Sequence, residues 1–140
     1  MATLSEEVQQ FIDEPNLAIF VTLMKDGSPQ STMVWVDHDG ENVLINTPLG
    51  SQKERNLGRD RRVSLCVIDR DQPHRYVQIR GRVIEISGGE EAWQHINKLS
   101  QKYNGRDYPR RQERVKVVVA PSHVFAPGGG RGEGQSSRWS

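Results

Sequence analysis

The chain has very little cysteine and no long apolar segment. Cys66 is the only cysteine among 140 residues, so no internal disulfide can form and a reducing compartment is the simpler expectation. No apolar run approaches the roughly 20 residues that a membrane-spanning helix needs. The N-terminus is acidic, whereas a signal peptide starts with basic residues followed by apolar ones. We therefore expect a cytoplasmic protein that has no membrane partner.

The chain also has a small net charge and few aromatic residues. Nineteen basic residues against eighteen acidic ones leave a net charge of +1, and aromatic residues make up 6% of the chain. Barrels that bind single-stranded nucleic acid use a basic groove and surface aromatics, so this alternative class of protein is disfavoured by the composition. We expect no nucleic-acid partner, and any anion-binding site must be local.

The sequence lacks a recognisable nucleophile or metal motif. Its Ser, His and Asp residues form no elbow such as G-x-S-x-G, and the four histidines are scattered, with no cysteine at metal-ligand spacing. Among these histidines, His95 is expected on the solvated face of a helix. We expect no metal site, and the catalytic residues remain unknown at this level.

Alternating apolar residues indicate six strands, several of them joined by tight hairpins. Asp-Gly pairs mark the first two turns, and Gly81 lies inside the fifth strand, where a bulge or sharp bend is expected. The predicted strands cover residues 17–23, 31–37, 42–47, 62–69, 74–87 and 113–120, with helices near the N-terminus, over 52–60 and over 89–103. This pattern predicts a mainly β fold, a six-stranded antiparallel barrel with short helices, over residues 1–127. The Gly- and Ser-rich residues 128–140 are predicted to be a separate C-terminal tail.

The stretch over residues 51–62 is typical of a helix start that holds an anion. Ser51 and Glu54 fit a capping box, so the helix is predicted to begin near Gln52. Its unpaired N–H groups and the positive end of its dipole would face the anion outside the barrel. The side chains placed to help are Lys53, Arg55 and Asn56. The alternative is an ordinary amphipathic surface helix with Leu57 facing the core.

Four segments together resemble a known superfamily. They are residues 22–30 (TLMKDGSPQ), residues 51–60 (SQKERNLGRD), the glycine of residues 79–83 (IRGRV) and residues 122–124 (SHV). In this order, the chain resembles the pyridoxamine 5'-phosphate oxidase-like split β-barrel superfamily, in particular its flavin/deazaflavin oxidoreductase branch, which uses coenzyme F420. The resemblance implies an FMN-binding split barrel and a homodimer, with one cofactor in each of two grooves at the subunit interface.

The resemblance also implies which residues bind the cofactor. A first group, which grips the cofactor phosphate, comprises Ser51, Gln52, Lys53, Arg55 and Asn56, with Ser51 in place of the arginine of some relatives. A second group, which lines the tricyclic ring and the ribityl chain, comprises Gln30, Ser31, Thr32, Met33, Val34, Asn46 and Thr47. A third group, contributed across the dimer, comprises Tyr76 and Gln78. Trp35 is a further candidate to pack against the ring, with plain sheet packing as the alternative for its side chain.

Hydride transfer by such a cofactor needs no catalytic motif in the chain, because the cofactor carries the chemistry and the protein orients it. The resemblance therefore implies an oxidoreductase that uses reduced F420 to transfer hydride to an electron-poor small molecule. FMN is the alternative cofactor, since both cofactors share the ribityl phosphate. A non-catalytic flavin or deazaflavin carrier or sensor is the alternative function. F420 has a longer acidic tail beyond its phosphate, so the basic residues between 55 and 62 favour F420.

Overall fold

The structure is a computed structural model, and it describes residues 2–109 and 112–127. Its elements in chain order are α1 (Glu6–Asp13), β1 (Leu17–Leu23), β2 (Pro29–Val34), β3 (Val36–His38), β4 (Val43–Pro48), α2 (Gln52–Arg59), β5 (Arg62–Ile68), β6 (Tyr76–Ser87), α3 (Gly89–Asn104) and β7 (Arg114–Phe125). In these two ranges, none of the helices has the length and apolar character needed to cross a bilayer. The tail predicted over 128–140 lies outside the described residues.

All seven strands belong to one antiparallel sheet, in the order β2-β1-β5-β6-β7-β4-β3. β2 and β3 are consecutive in the chain, separated only by Trp35, yet they lie at opposite ends of that order. A single residue advances the chain by only about 3.5 Å, so the two edges of the sheet must lie close together. The sheet therefore curls on itself into a split barrel.

The predicted mainly β split-barrel fold with short helices is confirmed, with two main differences in the strands and shifts of one or two residues at other strand ends. The strand predicted over 31–37 divides at Trp35, so the six predicted strands become seven. The last strand does not end before Pro121 but continues to Phe125. Pro121 lies beyond the pairing with β4, which ends at Val119, and at a register shift with β6. Its missing N–H therefore interrupts no regular ladder of hydrogen bonds.

Alternate side chains of the strands fill the interior of the barrel. Along β6 every second residue from Val77 to Val83 is buried, and β1 buries Ala18 and Phe20 with the same period. α1 adds three core side chains, which are Val8, Phe11 and Ile12. Burial of these apolar faces is the main favourable term in folding. The opposite faces of the strands remain available for polar contacts and for a site outside the barrel.

Gly81 allows β6 and β7 to approach each other closely. A Cβ atom at this position would lie 2.3 Å from the backbone oxygen of Ala120. The pairing of β6 with β7 shifts register between Arg80 and Gly81, as expected for a bulged or sharply bent strand. Only glycine fits here without moving the backbone of β7.

α3 packs against β7 and β4 and buries Ala92, Ile96 and Leu99. His95 is also buried, at 6% exposed, so the expectation that it lies on a solvated face is wrong. The physical reason is a polar partner in the interior: His95 Nε2 lies 3.3 Å from the carboxylate of Asp37 on β3. An imidazole can be buried when its nitrogens find such partners.

Candidate functional site

A cavity of about 410 Å³ opens where the ends of β2 and β4 meet α2, α3 and β7. Its lining comprises Met33, Val34, Trp35, Asn46, Thr47, Pro48, Lys53, Ile96, Tyr108 and Arg114. The pairing of β4 with β7 brings distant parts of the chain together here, with Pro48 opposite Arg114. The volume is in the range of about 300–1,000 Å³ that is usual for small-molecule and cofactor pockets.

The start of α2 is fixed beside this cavity by a set of caps. Ser51 Oγ accepts a hydrogen bond from the Glu54 N–H at 3.3 Å and lies 3.0 Å from Thr47 Oγ1. The Glu54 carboxylate accepts from the Gly50 N–H at 3.0 Å, one residue before the N–H that a capping box would use. The helix begins at the predicted residue, and Lys53 in its first turn lines the cavity.

Lys53 and Arg114 are two cationic side chains that line the same cavity. Burial lowers the pKa of Lys53, and the positive charge of Arg114 lowers it further. Burial also lowers the pKa of Arg114. In the part of the chain that the structure describes, no carboxylate lies within ion-pair distance of either side chain. Two partly buried cations without a counter-ion favour the binding of an anion.

Neutral groups hold the Arg114 guanidinium in place. Arg114 Nε donates to Asn46 Oδ1 at 2.5 Å, and Nη1 donates to Tyr108 Oη at 3.2 Å and to Gln112 Oε1 at 3.0 Å. The guanidinium carbon also lies 5.1 Å from the centroid of the Tyr108 ring. These contacts fix the orientation of Arg114 without neutralising it, so its charge remains available to a ligand.

Aromatic and apolar side chains form another part of the lining. Trp35 stacks on Tyr103, with ring centroids 5.2 Å apart and ring planes 7° from parallel. Tyr108 meets Trp35 edge-on at 6.3 Å. Met33, the neighbouring lining residue on β2, is 62% exposed. The Trp35 side chain therefore packs against aromatic neighbours and also contributes to the lining of the cavity.

Five of the residues predicted to bind a cofactor line this cavity: Met33, Val34, Asn46, Thr47 and Lys53. Three others precede them on β2, namely Gln30, Ser31 and Thr32, and three surround the start of α2, namely Ser51, Gln52 and Arg55. These six are near in the fold but do not line the cavity. Arg55 is instead engaged by its neighbours, donating to the Gly50 carbonyl and to Gln52 Oε1.

Asn56 does not reach the cavity, and its side chain is fully buried. Asn56 Nδ2 donates to Thr22 Oγ1 on β1 at 2.9 Å. Asn56 Oδ1 accepts from Gln52 Nε2 at 2.9 Å and from Arg59 Nη2 at 2.6 Å. Both ends of the amide are engaged by protein groups, so Asn56 fixes α2 against the barrel in this structure.

Tyr76 and Gln78 lie on β6 and do not line this cavity. Tyr76 lines a second cavity of about 260 Å³, formed with residues of α1, while Gln78 is exposed. Their contribution across a dimer stays a prediction.

Sequence reasoning missed four lining residues: Pro48, Ile96, Tyr108 and Arg114. Arg114 is the most informative of them, because it supplies the second cation. The only local signal was its position at the start of the last strand. Its place at the cavity depends on the pairing of β7 with β4, which alternation of apolar residues does not reveal.

The described residues also contain no group of three or more His, Cys, Asp or Glu side chains gathered to hold a metal ion. The chemistry of the cavity therefore rests on its two cations, its amide and hydroxyl groups and its aromatic surface.

An antiparallel sheet that curls on itself, with a cation-lined cavity outside it, defines the class of split β-barrel proteins. Residues 4–126 match the pyridoxamine 5'-phosphate oxidase family. The chain belongs to that family.

Solved structures with the same fold agree with this assignment. An F420 reductase has 29% sequence identity and a TM-score of 0.74, over 84% of this chain and 94% of that one. A conserved hypothetical protein from Mycobacterium tuberculosis has 28% identity and a TM-score of 0.71, over 86% and 82%. The heme storage protein HutZ from Vibrio cholerae, at 15% identity and a TM-score of 0.61 over 89% and 95%, shares the fold alone. Among curated proteins no relative matches this chain.

Proposed function

We propose that this protein is an oxidoreductase that uses reduced coenzyme F420 to transfer hydride to an electron-poor small molecule. The observation that carries the proposal is the pair of cations, Lys53 and Arg114, which lines the cavity and has no carboxylate partner within residues 2–109 and 112–127. The similarity to an F420 reductase over most of both chains supports the choice of cofactor.

The residues present fit a phosphorylated tricyclic cofactor on two counts. Its phosphate requires cations that are not already paired, and Lys53 and Arg114 meet that requirement. Its ring requires an apolar surface next to polar groups. Trp35 and Met33 provide the apolar part, and Asn46 and Thr47 provide the polar groups beside it. When bound, F420 would supply a hydride donor, which no side chain of this chain can supply.

The protein's own part is to bind, to orient and to exclude water. Lys53 and Arg114 would hold the anionic group, and Thr47, linked to Ser51, would fix the start of α2 beside it. We assign Asn56 the role of locking α2 onto β1 rather than that of a phosphate ligand, since its amide is fully engaged. Met33 and Val34 of β2 would line the ring, and Gln30, Ser31 and Thr32, which precede them on the same strand, would reach it only if the cofactor extends beyond the cavity.

The same proposal includes a homodimer with the cofactor at the subunit interface. Met33 is 62% exposed although it lines the cavity, which leaves an apolar side chain available for a second copy or for the ring. Tyr76 and Gln78 would then reach the cofactor from the partner subunit. Sedimentation of the protein with and without cofactor tests this part, and a monomer in both states contradicts it.

Titration of the purified protein with F420 and with FMN, followed by absorbance and fluorescence, tests the choice of cofactor. We expect saturable F420 binding that perturbs the deazaflavin spectrum, and oxidation of reduced F420 by activated, electron-poor acceptors. Tight FMN binding without F420 binding would show that the cofactor is FMN, bound at the same proposed site. F420 binding with no turnover on any acceptor would instead favour a carrier or sensor.

FMN remains the second candidate because it shares the ribityl phosphate that the two cations would bind. Membership of the pyridoxamine 5'-phosphate oxidase family supports a phosphorylated cofactor in general and does not separate the two.

A further inference from the structure

A buried row of polar side chains leads from β3 to the cavity. Asp37 Oδ2 lies 3.3 Å from His95 Nε2, and His95 Nδ1 lies 3.2 Å from Asn46 Nδ2. Asn46 Oδ1 then lies 2.5 Å from Arg114 Nε. All four side chains are at most 9% exposed. Asn46 and Arg114 line the cavity, whereas Asp37 and His95 do not and therefore have no direct contact with a ligand there.

The direction of the hydrogen bonds between Arg114 and His95 is fixed from the Arg114 end. Arg114 can only donate, so Asn46 must present its oxygen to it. The Asn46 amide nitrogen then donates to the Ala92 carbonyl at 3.0 Å and to His95 Nδ1, which must be the acceptor. An imidazole that accepts at Nδ1 carries its proton at Nε2, the nitrogen that lies 3.3 Å from the Asp37 carboxylate. Both hydrogen bonds between Arg114 and His95 therefore run from the guanidinium toward the imidazole.

Asp37 is suited to the end of such a row because it stays ionised. Burial alone would raise the pKa of Asp37, but hydrogen bonds from His95 and from the His38 N–H, together with Lys98, outweigh that effect. The net result is a pKa well below the usual range. The Lys98 ammonium lies 3.1 Å from the same carboxylate oxygen and is itself largely exposed.

We propose that His95, held by Asp37, is a positioning residue for Arg114, acting through Asn46 to keep the guanidinium oriented toward an anion in the cavity. This inference rests on the proposed function, because it assigns Arg114 to anion binding. A carboxylate in direct contact would hold Arg114 equally well but would neutralise it. Two neutral groups between the carboxylate and the guanidinium fix its geometry and leave its charge for the ligand.

The protonation of His95 in the free protein tests the row directly. Long-range ¹H–¹⁵N correlation spectra of the ¹⁵N-labelled full chain at neutral pH distinguish the two neutral tautomers and the cation. We expect His95 to carry its proton at Nε2, with Nδ1 as the unprotonated acceptor, and the signals to be assigned by their loss in His95→Phe. A proton at Nδ1, in either the other tautomer or the cation, overturns the proposal.

A double-mutant cycle tests whether His95 acts through Arg114. The affinities for F420 and for FMN are measured for His95→Phe, Arg114→Met and the double variant. We expect His95→Phe alone to weaken binding by roughly tenfold, and to have no further effect once Arg114 is Met. In a Lys53→Met background, the effect of His95→Phe should persist. His74→Gln, which alters an exposed histidine, should leave the affinity unchanged.

The outcomes separate this inference from the proposed function. Unchanged affinity in Arg114→Met would contradict the proposed anion site and therefore also the inference about His95. Weaker binding in Arg114→Met, combined with an equal effect of His95→Phe in both backgrounds or with no effect at all, overturns the inference and leaves the site intact. If His95→Phe does not fold, Asp37→Asn, which preserves volume and removes the charge, enters the same cycle with the same expected dependence on Arg114.

Discussion

Lys53 and Arg114 come from different elements, the first turn of α2 and the start of β7, and both line one cavity. Among the residues that the structure describes, no carboxylate forms an ion pair with either of them. Burial and then the charge of Arg114 hold the pKa of Lys53 below its ordinary value. Two like charges in one partly buried site destabilise each other until an anion binds. The unfavourable pairing in the free protein is therefore a source of affinity in the complex.

Replacement of Lys53 should weaken cofactor binding without unfolding the protein. We expect Lys53→Met to cost on the order of 1.5–3 kcal/mol in binding, as for loss of a hydrogen bond to a charged group. Its stability should be unchanged or slightly higher, because a cation that burial and Arg114 disfavour is removed. Titration with F420 and urea unfolding measure the two effects. Lys25→Met, at an exposed lysine in the β1–β2 turn, is the matched control.

The same lysine predicts a loss of affinity at alkaline pH. A bound anion raises the pKa of Lys53, so the complex keeps a proton that the free protein loses as the pH rises through its lowered pKa. Affinity should be complete below that pKa and should fall above it, at pH values under the ordinary lysine value of about 10.4. Lys53→Arg, which stays protonated, should bind with little change between pH 7.5 and pH 10. An equal fall in wild type and Lys53→Arg would assign the dependence to another group.

Asn56→Ala should lower the stability of the protein more than its affinity for cofactor, the reverse of Lys53→Met. Removal of the buried amide takes one hydrogen-bond partner from each of Thr22 and Arg59, and we expect a loss of about 1–3 kcal/mol in the free energy of unfolding. Cofactor binding should weaken only as far as α2 shifts. Urea unfolding and titration of the same preparations measure this. Unchanged stability with a large loss of affinity would return Asn56 to the role of a direct phosphate ligand.

Local signals in the sequence were enough to predict most elements of the fold. Ser51 caps α2 where expected, and the Asp26-Gly27 turn forms with Gly27 at a φ of 89° and with the Ser28 N–H bonded to Asp26. The break at Trp35 was missed because it lies inside an apolar run with no glycine or proline to mark it. Its cause is the closure of the sheet, which is a property of the whole fold.

The candidate site was predicted only in part, because half of it depends on long-range pairing. The residues of β2, β4 and α2 lie within one continuous stretch of the chain, residues 29–59, where short motifs mark them. Arg114 joins them only through the register of β7 on β4. His95 is a polar residue within an amphipathic helix, and its buried partner, Asp37, belongs to a strand far earlier in the chain, so no local motif marks the pair.

Gly81→Ala should destabilise the barrel. The new Cβ atom would meet the Ala120 backbone oxygen at 2.3 Å, and a backbone atom in a paired strand cannot move away easily. We expect a loss of about 1–3 kcal/mol in the free energy of unfolding, as for other overpacked positions. Gly58→Ala is the matched control, since nothing lies within 4 Å of its added Cβ atom. That helix position should gain about 0.5–1 kcal/mol. Equal effects at the two glycines would contradict the close approach of β6 and β7.

Lys102 should make the stability of the protein rise with pH above neutrality. Burial lowers the pKa of Lys102 to about 8, while its ammonium donates to the Ile12 and Val36 carbonyls. In the unfolded chain the pKa of lysine is about 10.4. Between these values the unfolded state binds more protons than the folded state, so the free energy of unfolding increases as the pH rises. The contribution of Lys102 to the free energy of unfolding is thus least favourable below pH 8.

Tyr103 limits the window in which this rise can be measured. Burial raises the pKa of Tyr103 to about 12, so above the ordinary tyrosine value of about 10 the unfolded state loses its proton first and stability falls. Urea unfolding between pH 7 and pH 9.5 therefore avoids the titration of Tyr103. Lys53 and Cys66, whose pKa values burial lowers and raises respectively, are present in both wild type and Lys102→Met, so the comparison of the two proteins isolates Lys102. Because Lys102→Met removes the titrating group but leaves Tyr103 in place, the slope of stability against pH should be smaller in this variant than in wild type. Identical slopes would show that Lys102 keeps an ordinary pKa in the folded protein.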